Sequence, residues 1–105
     1  MAWFLIVAAG LFETGFAVLL KQSHGFSQPW PTAGFAACAL ISFALLTTAL
    51  RRLEVGPAYA TWTGIGAAGT LTMGVLLFGE ALNPIKIAGI VLVMVGIVAL
   101  KLAPA

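Results

Sequence analysis

A single acidic residue, Glu13, interrupts the first apolar run of the chain. It lies ten positions after Trp3, which is about 15 Å along a helix and close to the middle of a bilayer core roughly 30 Å thick. A charge at that depth costs about 2.5 to 3.5 kcal/mol, and no other charged residue lies at mid-depth to neutralise it. We therefore predict that Glu13 exchanges a proton for a cationic ligand. The alternative is a carboxyl group that simply stays neutral or bonds to a neighbouring hydroxyl.

Small side chains lie near Glu13 at helical spacing. Of the residues three and four positions away, Ala9, Gly10 and Ala17 are small, which leaves space beside the carboxyl group. The fourth, Phe16, is aromatic. Close helix packing through small residues is the competing interpretation. On the second apolar run, Ser42 lies at mid-depth and can hydrogen-bond to a carboxylate, although a helical serine more often bonds to its own backbone.

Aromatic residues follow on the third apolar run. Tyr59, Trp62 and Thr63 occur at positions i, i+3 and i+4 and so share one helical face. An aromatic face together with an acid binds organic or planar cations, through attraction to the ring and an ion pair. By spacing alone, an interfacial position for Tyr59 and core packing for Trp62 are equally compatible.

The composition requires a lipid environment around these residues. Of the 105 residues, 62% are hydrophobic and 8% charged, against roughly 25% charged in a soluble domain. So few charges cannot cover the surface of a small water-soluble fold. The net charge of +2 is spread without a basic patch, which argues against nucleic acid as a partner.

Long apolar stretches predict four transmembrane helices, at roughly 3–20, 32–50, 56–78 and 84–100, in a single domain over residues 1–105. Runs of this length are too long for barrel strands, and lipid tolerates no unpaired backbone groups, so we expect an all-α membrane protein. Glycine and proline separate the helices. No basic residue precedes the apolar run from Trp3 to Phe12, and the acidic Glu13 follows it. We therefore interpret this run as part of a retained span and not as a signal peptide.

The charges at the helix ends are nearly balanced across the membrane. With four spans, both termini and the second loop share one side with Arg51, Arg52 and Lys101, and the other two loops carry Lys21 and Lys86. Orientation follows the asymmetry of lysine and arginine, and three against two is a weak bias. We expect insertion in both orientations and an antiparallel homodimer.

Glycines inside the spans indicate helix contacts. Gly64, Gly66 and Gly69 spell a G-x-G-x-x-G pattern, but a dinucleotide site needs a preceding strand and a water-exposed helix start, whereas this pattern lies in an uncharged run. We interpret it as close helix packing or a flexible point. Gly89 and Gly96 lie seven residues apart on one face of the fourth span and predict a seam for helix association.

Enzyme chemistry and metal binding are not expected. Cys38 is the only cysteine and His24 the only histidine, so neither a disulfide nor a zinc site can form within the chain. No set of nucleophile, base and orienting residue is present. We predict no cofactor.

The whole chain resembles the small multidrug resistance family of four-helix bacterial exporters. The matching segments are Gly10-Leu-Phe-Glu13, Lys21 with His24-Gly25-Phe26, Gly56-Pro-Ala-Tyr59-Ala-Thr-Trp62-Thr-Gly64-Ile-Gly66, and Gly79-Glu80 with Asn83-Pro84. The resemblance implies a protein of the bacterial plasma membrane, working as an antiparallel dimer with one shared cavity. In this cavity Glu13 would alternately bind protons and a cation, and Ser42, Tyr59 and Trp62 would line it. From their spacing along the helices, we also expect Phe16, Gly10 and Thr63 to line the cavity.

Within the family, the loop from Gly79 to Pro84 and the ending Gly96 to Lys101 are similar to the guanidinium exporter branch. That branch usually has a tryptophan where this chain has Phe16, which cannot donate an N–H group. We expect a proton-coupled exporter of guanidinium, substituted guanidines or biguanides. The alternatives are a polyspecific exporter of quaternary ammonium ions, one subunit of a heterodimeric pair, or a passive cation channel.

Overall fold

Four helices make up the computed structural model, which describes residues 2–104. They are α1 (Ala2–Gln22), α2 (Pro29–Ala49), α3 (Val55–Phe78) and α4 (Pro84–Leu102). At 1.5 Å per residue they are about 28 to 36 Å long, and all four are apolar enough to cross a bilayer. Residues 2–104 contain no strand. The prediction of an all-α protein with four transmembrane helices is confirmed.

The turn between α1 and α2 is organised by a buried serine. The Ser23 hydroxyl donates to the Leu20 carbonyl at 2.7 Å and accepts the Phe26 N–H at 3.1 Å. The backbone at His24, Gly25 and Phe26 then takes positive φ values. These bonds reverse the chain, and α2 begins at Pro29 and not at residue 32. Proline suits a first helical position because it has no N–H that would need a partner there.

The turn between α3 and α4 uses residues with familiar capping roles. Gly79 ends α3 with φ 64°, a left-handed conformation that glycine adopts without a Cβ penalty. Asn83 caps α4, because its side-chain oxygen accepts the Lys86 N–H at 2.9 Å, and Pro84 follows at the first helical position. The helix boundaries therefore arise from local chemistry.

The helices are arranged as a slab with α1 near its centre. α1 packs against both α2 and α3, whereas α4 packs against α3 alone. The described chain measures 45 × 34 × 17 Å. α2 and α4 do not contact each other, so the four described helices form an open row that does not surround a passage.

Contacts at the helix ends show which loops lie at the same end of the bundle. At one end, the Lys101 ammonium lies 5.9 Å from the centre of the Trp3 ring, and Arg51 lines a cavity of about 370 Å³ together with Ala2. At the other end, Lys21 forms a salt bridge with Glu80 at 3.0 Å. Both ends of the described chain and the second loop thus lie on one side, as the sequence predicts.

Candidate functional site around Glu13

Glu13 lies near the middle of α1 and is the only acidic residue within the four helices. Its Oε1 atom is buried and has no hydrogen-bond partner among the described residues, a property shared only with the Thr61 hydroxyl. The carboxylate packs against Gly66 of α3, where a Cβ atom would overlap it. The absence of a side chain at Gly66 therefore makes the space in which this carboxylate lies.

A chain of hydrogen bonds joins three helices next to Glu13. Trp62 of α3 donates its indole N–H to the Ser42 hydroxyl of α2 at 2.9 Å, and Ser42 donates to the Ala9 carbonyl of α1 at 2.7 Å. Ser42 is fully buried and Trp62 is 7% exposed. Both side chains thus serve the packing of the bundle, and the expected bond from Ser42 to a carboxylate is replaced by a bond to the backbone of α1.

Aromatic rings form a continuous row beside this chain of bonds. The Phe16 ring meets the Phe35 ring edge-on at 5.8 Å and lies 6.1 Å from the Phe43 ring. Phe43 lies 5.6 Å from Trp62, which in turn lies 5.6 Å from Tyr59. Such spacings are those of favourable aromatic pairs. Tyr59 is 57% exposed and Phe43 48%, whereas Trp62 between them is 7% exposed, so the row has accessible rings on both sides of Trp62.

Two residues expected beside Glu13 have other neighbours. Gly10 is buried, and a Cβ atom there would lie 2.7 Å from the Ile65 side chain, so Gly10 is a contact between α1 and α3. Thr63 lines a groove of about 410 Å³ between α3 and α4, and its hydroxyl bonds to the Tyr59 carbonyl at 2.9 Å. The structure therefore separates Thr63 from Trp62, because adjacent helical residues point about 100° apart.

The glycines of α3 lie at close contacts with two neighbouring helices, α4 and α1. A Cβ atom on Gly64 would clash with Ile97 of α4, and Cβ atoms on Gly66 and Gly69 would clash with Glu13 and Thr14 of α1. Close packing is thus the role of the G-x-G-x-x-G pattern in this structure. By contrast, a Cβ atom on Gly89 or Gly96 of α4 would meet nothing within 4 Å, so neither glycine makes a close helix contact within the described chain.

One polar residue beside Glu13 was not among the predicted site residues. The Thr14 hydroxyl lies 3.2 Å from the Gly66 carbonyl oxygen, across the contact between α1 and α3. The signal in the sequence is a hydroxyl directly after the only intramembrane acid, within a span that is otherwise apolar around it.

This arrangement can bind a small cation. A carboxylate with a buried, unpartnered oxygen binds a proton or a positive group strongly, because burial has removed water and no protein donor has replaced it. The neighbouring rings add attraction for a planar cation. Residues 2–104 contain no cluster of histidine, cysteine and acidic residues that could hold a metal ion.

The fold and site define a small helical membrane transporter with a single intramembrane acid. The family model described as "Small Multidrug Resistance protein" matches residues 1–93, and the chain belongs to the small multidrug resistance family. The guanidinium exporter of Escherichia coli K12 is 46% identical over 103 residues, which are 98% of each chain. The guanidinium exporters of Citrobacter freundii and Salmonella typhimurium are 43% identical over the same share.

Family membership confirms three predictions made from the sequence. The resemblance to this family holds over nearly the whole chain. The protein is a transporter and not an enzyme, and it is a multi-pass protein of the bacterial inner membrane.

Proposed function

We propose that the protein exports guanidinium and small guanidinium-like cations in exchange for protons. The observation that supports this most directly is the buried, unpartnered Oε1 of Glu13 at the middle of a transmembrane helix. The relatives named guanidinium exporters indicate which cation to test first. A guanidinium ion is planar and presents parallel N–H groups, which match the two oxygens of a carboxylate.

Exchange follows from competition at one carboxylate. When Glu13 faces the cytoplasm it releases its proton and binds a cation, and when it faces the outside a proton displaces that cation. Because the two ligands exclude one another, the pH gradient drives export of the cation. Two copies of Glu13 in one cavity would titrate as a coupled pair.

We propose an antiparallel homodimer as the transporting unit, with one single-domain chain on each side of the cavity. The described helices form an open row in which α2 and α4 do not meet, so a second chain would be the means to enclose a transport path. The open face of α4 with Gly89 and Gly96 allows close approach of another helix. In this dimer Tyr59, Phe16 and the ring of Trp62 would line the cavity. Ser42, Gly10 and Thr63 would support it from helix contacts, because the Ser42 hydroxyl is fully buried between Trp62 and α1.

The substrate range should include substituted guanidines or biguanides. Phe16 lies three positions after Glu13 on α1 and packs against the rings of Phe35 and Phe43, and none of these three rings offers a hydrogen-bond donor. Such rings contact apolar substituents well and form no directional hydrogen bonds that would restrict the shape of the cation.

Transport into proteoliposomes under an imposed pH gradient tests the proposal, with guanidinium, a biguanide and a quaternary ammonium ion as substrates. Guanidinium and the biguanide should move against the proton flux, and Glu13→Gln should abolish this coupled movement. The matched control is Glu54→Gln, because Glu54 is an exposed acid before α3. Transport of the quaternary ammonium ion alone would replace the guanidinium proposal with a polyspecific exporter. A current without saturation would indicate a channel.

Labels at the ends of the chain test the dimer. Reporters fused to the C-terminus should be found on both sides of the membrane in cells. One orientation only would contradict the antiparallel homodimer and favour a pair with a second, similar chain.

A further inference from the structure

Thr14 makes a direct hydrogen bond between α1 and α3, and it does so next to Glu13. Its hydroxyl lies 3.2 Å from the Gly66 carbonyl oxygen and 3.4 Å from the Gly10 carbonyl oxygen of its own helix. One O–H proton is shared between two acceptors in this arrangement, and both distances are longer than those of a simple bond. Among residues 2–104, no other side-chain hydrogen bond joins α1 to α3.

Glu13 and Thr14 rest on the same short stretch of α3. The Glu13 carboxylate packs against Gly66, and the carbonyl of that same Gly66 accepts the Thr14 bond. One turn further along α3, a Cβ atom on Gly69 would overlap the Thr14 hydroxyl and lie 3.1 Å from its Cβ. A slide of α1 by one residue, about 1.5 Å, would break the bond and move the carboxylate off Gly66.

We propose that Thr14 is a positioning residue, which holds the Glu13 carboxylate at one depth and one rotation against α3. The inference deepens the proposed function and rests on it, since it takes Glu13 as the site of cation and proton binding. Van der Waals contact with Gly66 would allow α1 to turn or slide, whereas a hydrogen bond in lipid has no water to replace it. Thr14 therefore adds a directional hydrogen bond to a helix contact that otherwise consists of van der Waals packing.

Three other titratable side chains lie on α1 and on α2 and α3, the helices packed along it. α2 carries Cys38 as its only titratable side chain, α3 carries Tyr59, and α1 itself carries Lys21, about 12 Å further along the helix. α4 reaches α1 only at the helix ends, where Lys101 lies over the Trp3 ring, about 15 Å along α1 from Glu13. Replacing Thr14 changes none of these groups, so an altered titration of Glu13 would report its position.

The test compares Thr14→Val with Thr14→Ser and with a matched control. Valine keeps the shape of threonine and removes the donor, and serine keeps the donor. The control is Thr72→Val, because the Thr72 hydroxyl is exposed and bonds only to the Ala68 carbonyl of its own helix, at 2.9 Å. The readouts are the pH midpoint of the Glu13 carboxyl signal by carbon-13 NMR in bicelles and the Kd for guanidinium.

We expect Thr14→Val to displace the pH midpoint by about half a unit or more and to weaken guanidinium binding by about three- to tenfold. Thr14→Ser and Thr72→Val should match the wild type in both. A merely structural role would lower the yield of folded protein and leave midpoint and Kd unchanged in the folded fraction, which would overturn the proposal. If Thr14→Val does not assemble, Thr14→Ala lacks the same donor and is compared with Thr14→Ser in the same way.

The NMR titration separates this proposal from the transport proposal, because it needs no substrate. A wild type that neither binds nor transports guanidinium, together with a midpoint moved only in the donor-free variants, would refute guanidinium export and support the role of Thr14. Guanidinium exchange with the same midpoint and Kd in wild type and Thr14→Val would support export and refute the role of Thr14.

Discussion

Trp62 donates its indole N–H to the Ser42 hydroxyl at 2.9 Å, so this donor is already used within the chain. The Ser42 hydroxyl in turn donates to the Ala9 carbonyl, so three helices are joined about one helical turn from the buried acid. What Trp62 can offer to a ligand in this arrangement is its ring face, next to Tyr59 and Phe43.

Removal of the Ser42 hydroxyl should destabilise the bundle. Ser42→Ala leaves the Trp62 N–H without its acceptor, and one unsatisfied buried group costs about 1 to 3 kcal/mol. The Ala9 carbonyl keeps its hydrogen bond within α1. We expect the free energy of unfolding in mixed micelles to fall by about 1 to 3 kcal/mol. Thr48→Ala is the matched control on α2, since its exposed hydroxyl bonds only to the Ala44 carbonyl. Equal stability of the two variants would show that the chain of bonds contributes little.

Cation binding should weaken as the pH falls. Under the proposed competition of proton and cation for Glu13, the apparent Kd for guanidinium should rise by up to about tenfold per pH unit on the acid side of the Glu13 titration. Isothermal calorimetry across about pH 5 to 9 measures this, and Glu13→Gln should show no specific binding at any pH. A Kd that stays constant over that range would contradict competition at Glu13.

A methyl group at position 66 should displace the carboxylate and leave the fold in place. In Gly66→Ala the new Cβ overlaps the end of the Glu13 side chain, which can swing away, so the helices need not separate. Misplacing a binding group by about 1 Å can cost about 100-fold, and we expect guanidinium transport to fall by about 10- to 100-fold. Gly56→Ala on the same helix is the control, because its Cβ would meet nothing within 4 Å. Full activity of Gly66→Ala would show that the carboxylate works from another position.

Phe16→Trp should narrow the substrate range. An indole N–H near Glu13 can donate to the carboxylate, and a hydrogen bond to a charged group contributes about 1.5 to 3 kcal/mol, so the preference for guanidinium over a bulky biguanide should rise by about tenfold. Phe12→Trp is the control, since Phe12 lies on the exposed side of α1. Relative transport rates of the two substrates in proteoliposomes give the answer, and an unchanged ratio in Phe16→Trp would count against a role of Phe16 in selectivity.

The type of fold could be predicted because lipid imposes strict conditions on a sequence. Four apolar runs broken by glycine and proline admit little besides four helices, and the motifs around Glu13 and Trp62 indicated the family. α2 begins three residues before its predicted start, because Pro29 and Pro31 both lie in its first turn and either suits a helix start.

The partners of the polar groups could not be predicted, because they depend on how each helix is rotated about its axis. Ser42 bonds to the Ala9 carbonyl, and nothing in the spacing along α2 specifies which part of α1 lies opposite. Thr63 lies towards α4 for the same reason. Apolar spans carry little information on rotation, since lipid and protein neighbours are similarly apolar.

The isolation of α4 has a consequence for assembly in the bilayer. This helix packs against α3 alone, and none of its side chains is buried among the described residues. Lipid tails cover an apolar helix almost as well as protein does, so there is little drive for α4 to fold back onto its own chain. In the proposed dimer, α4 would complete its packing against a second copy of the chain. We therefore expect the stability of the protein to rise with the ratio of protein to lipid.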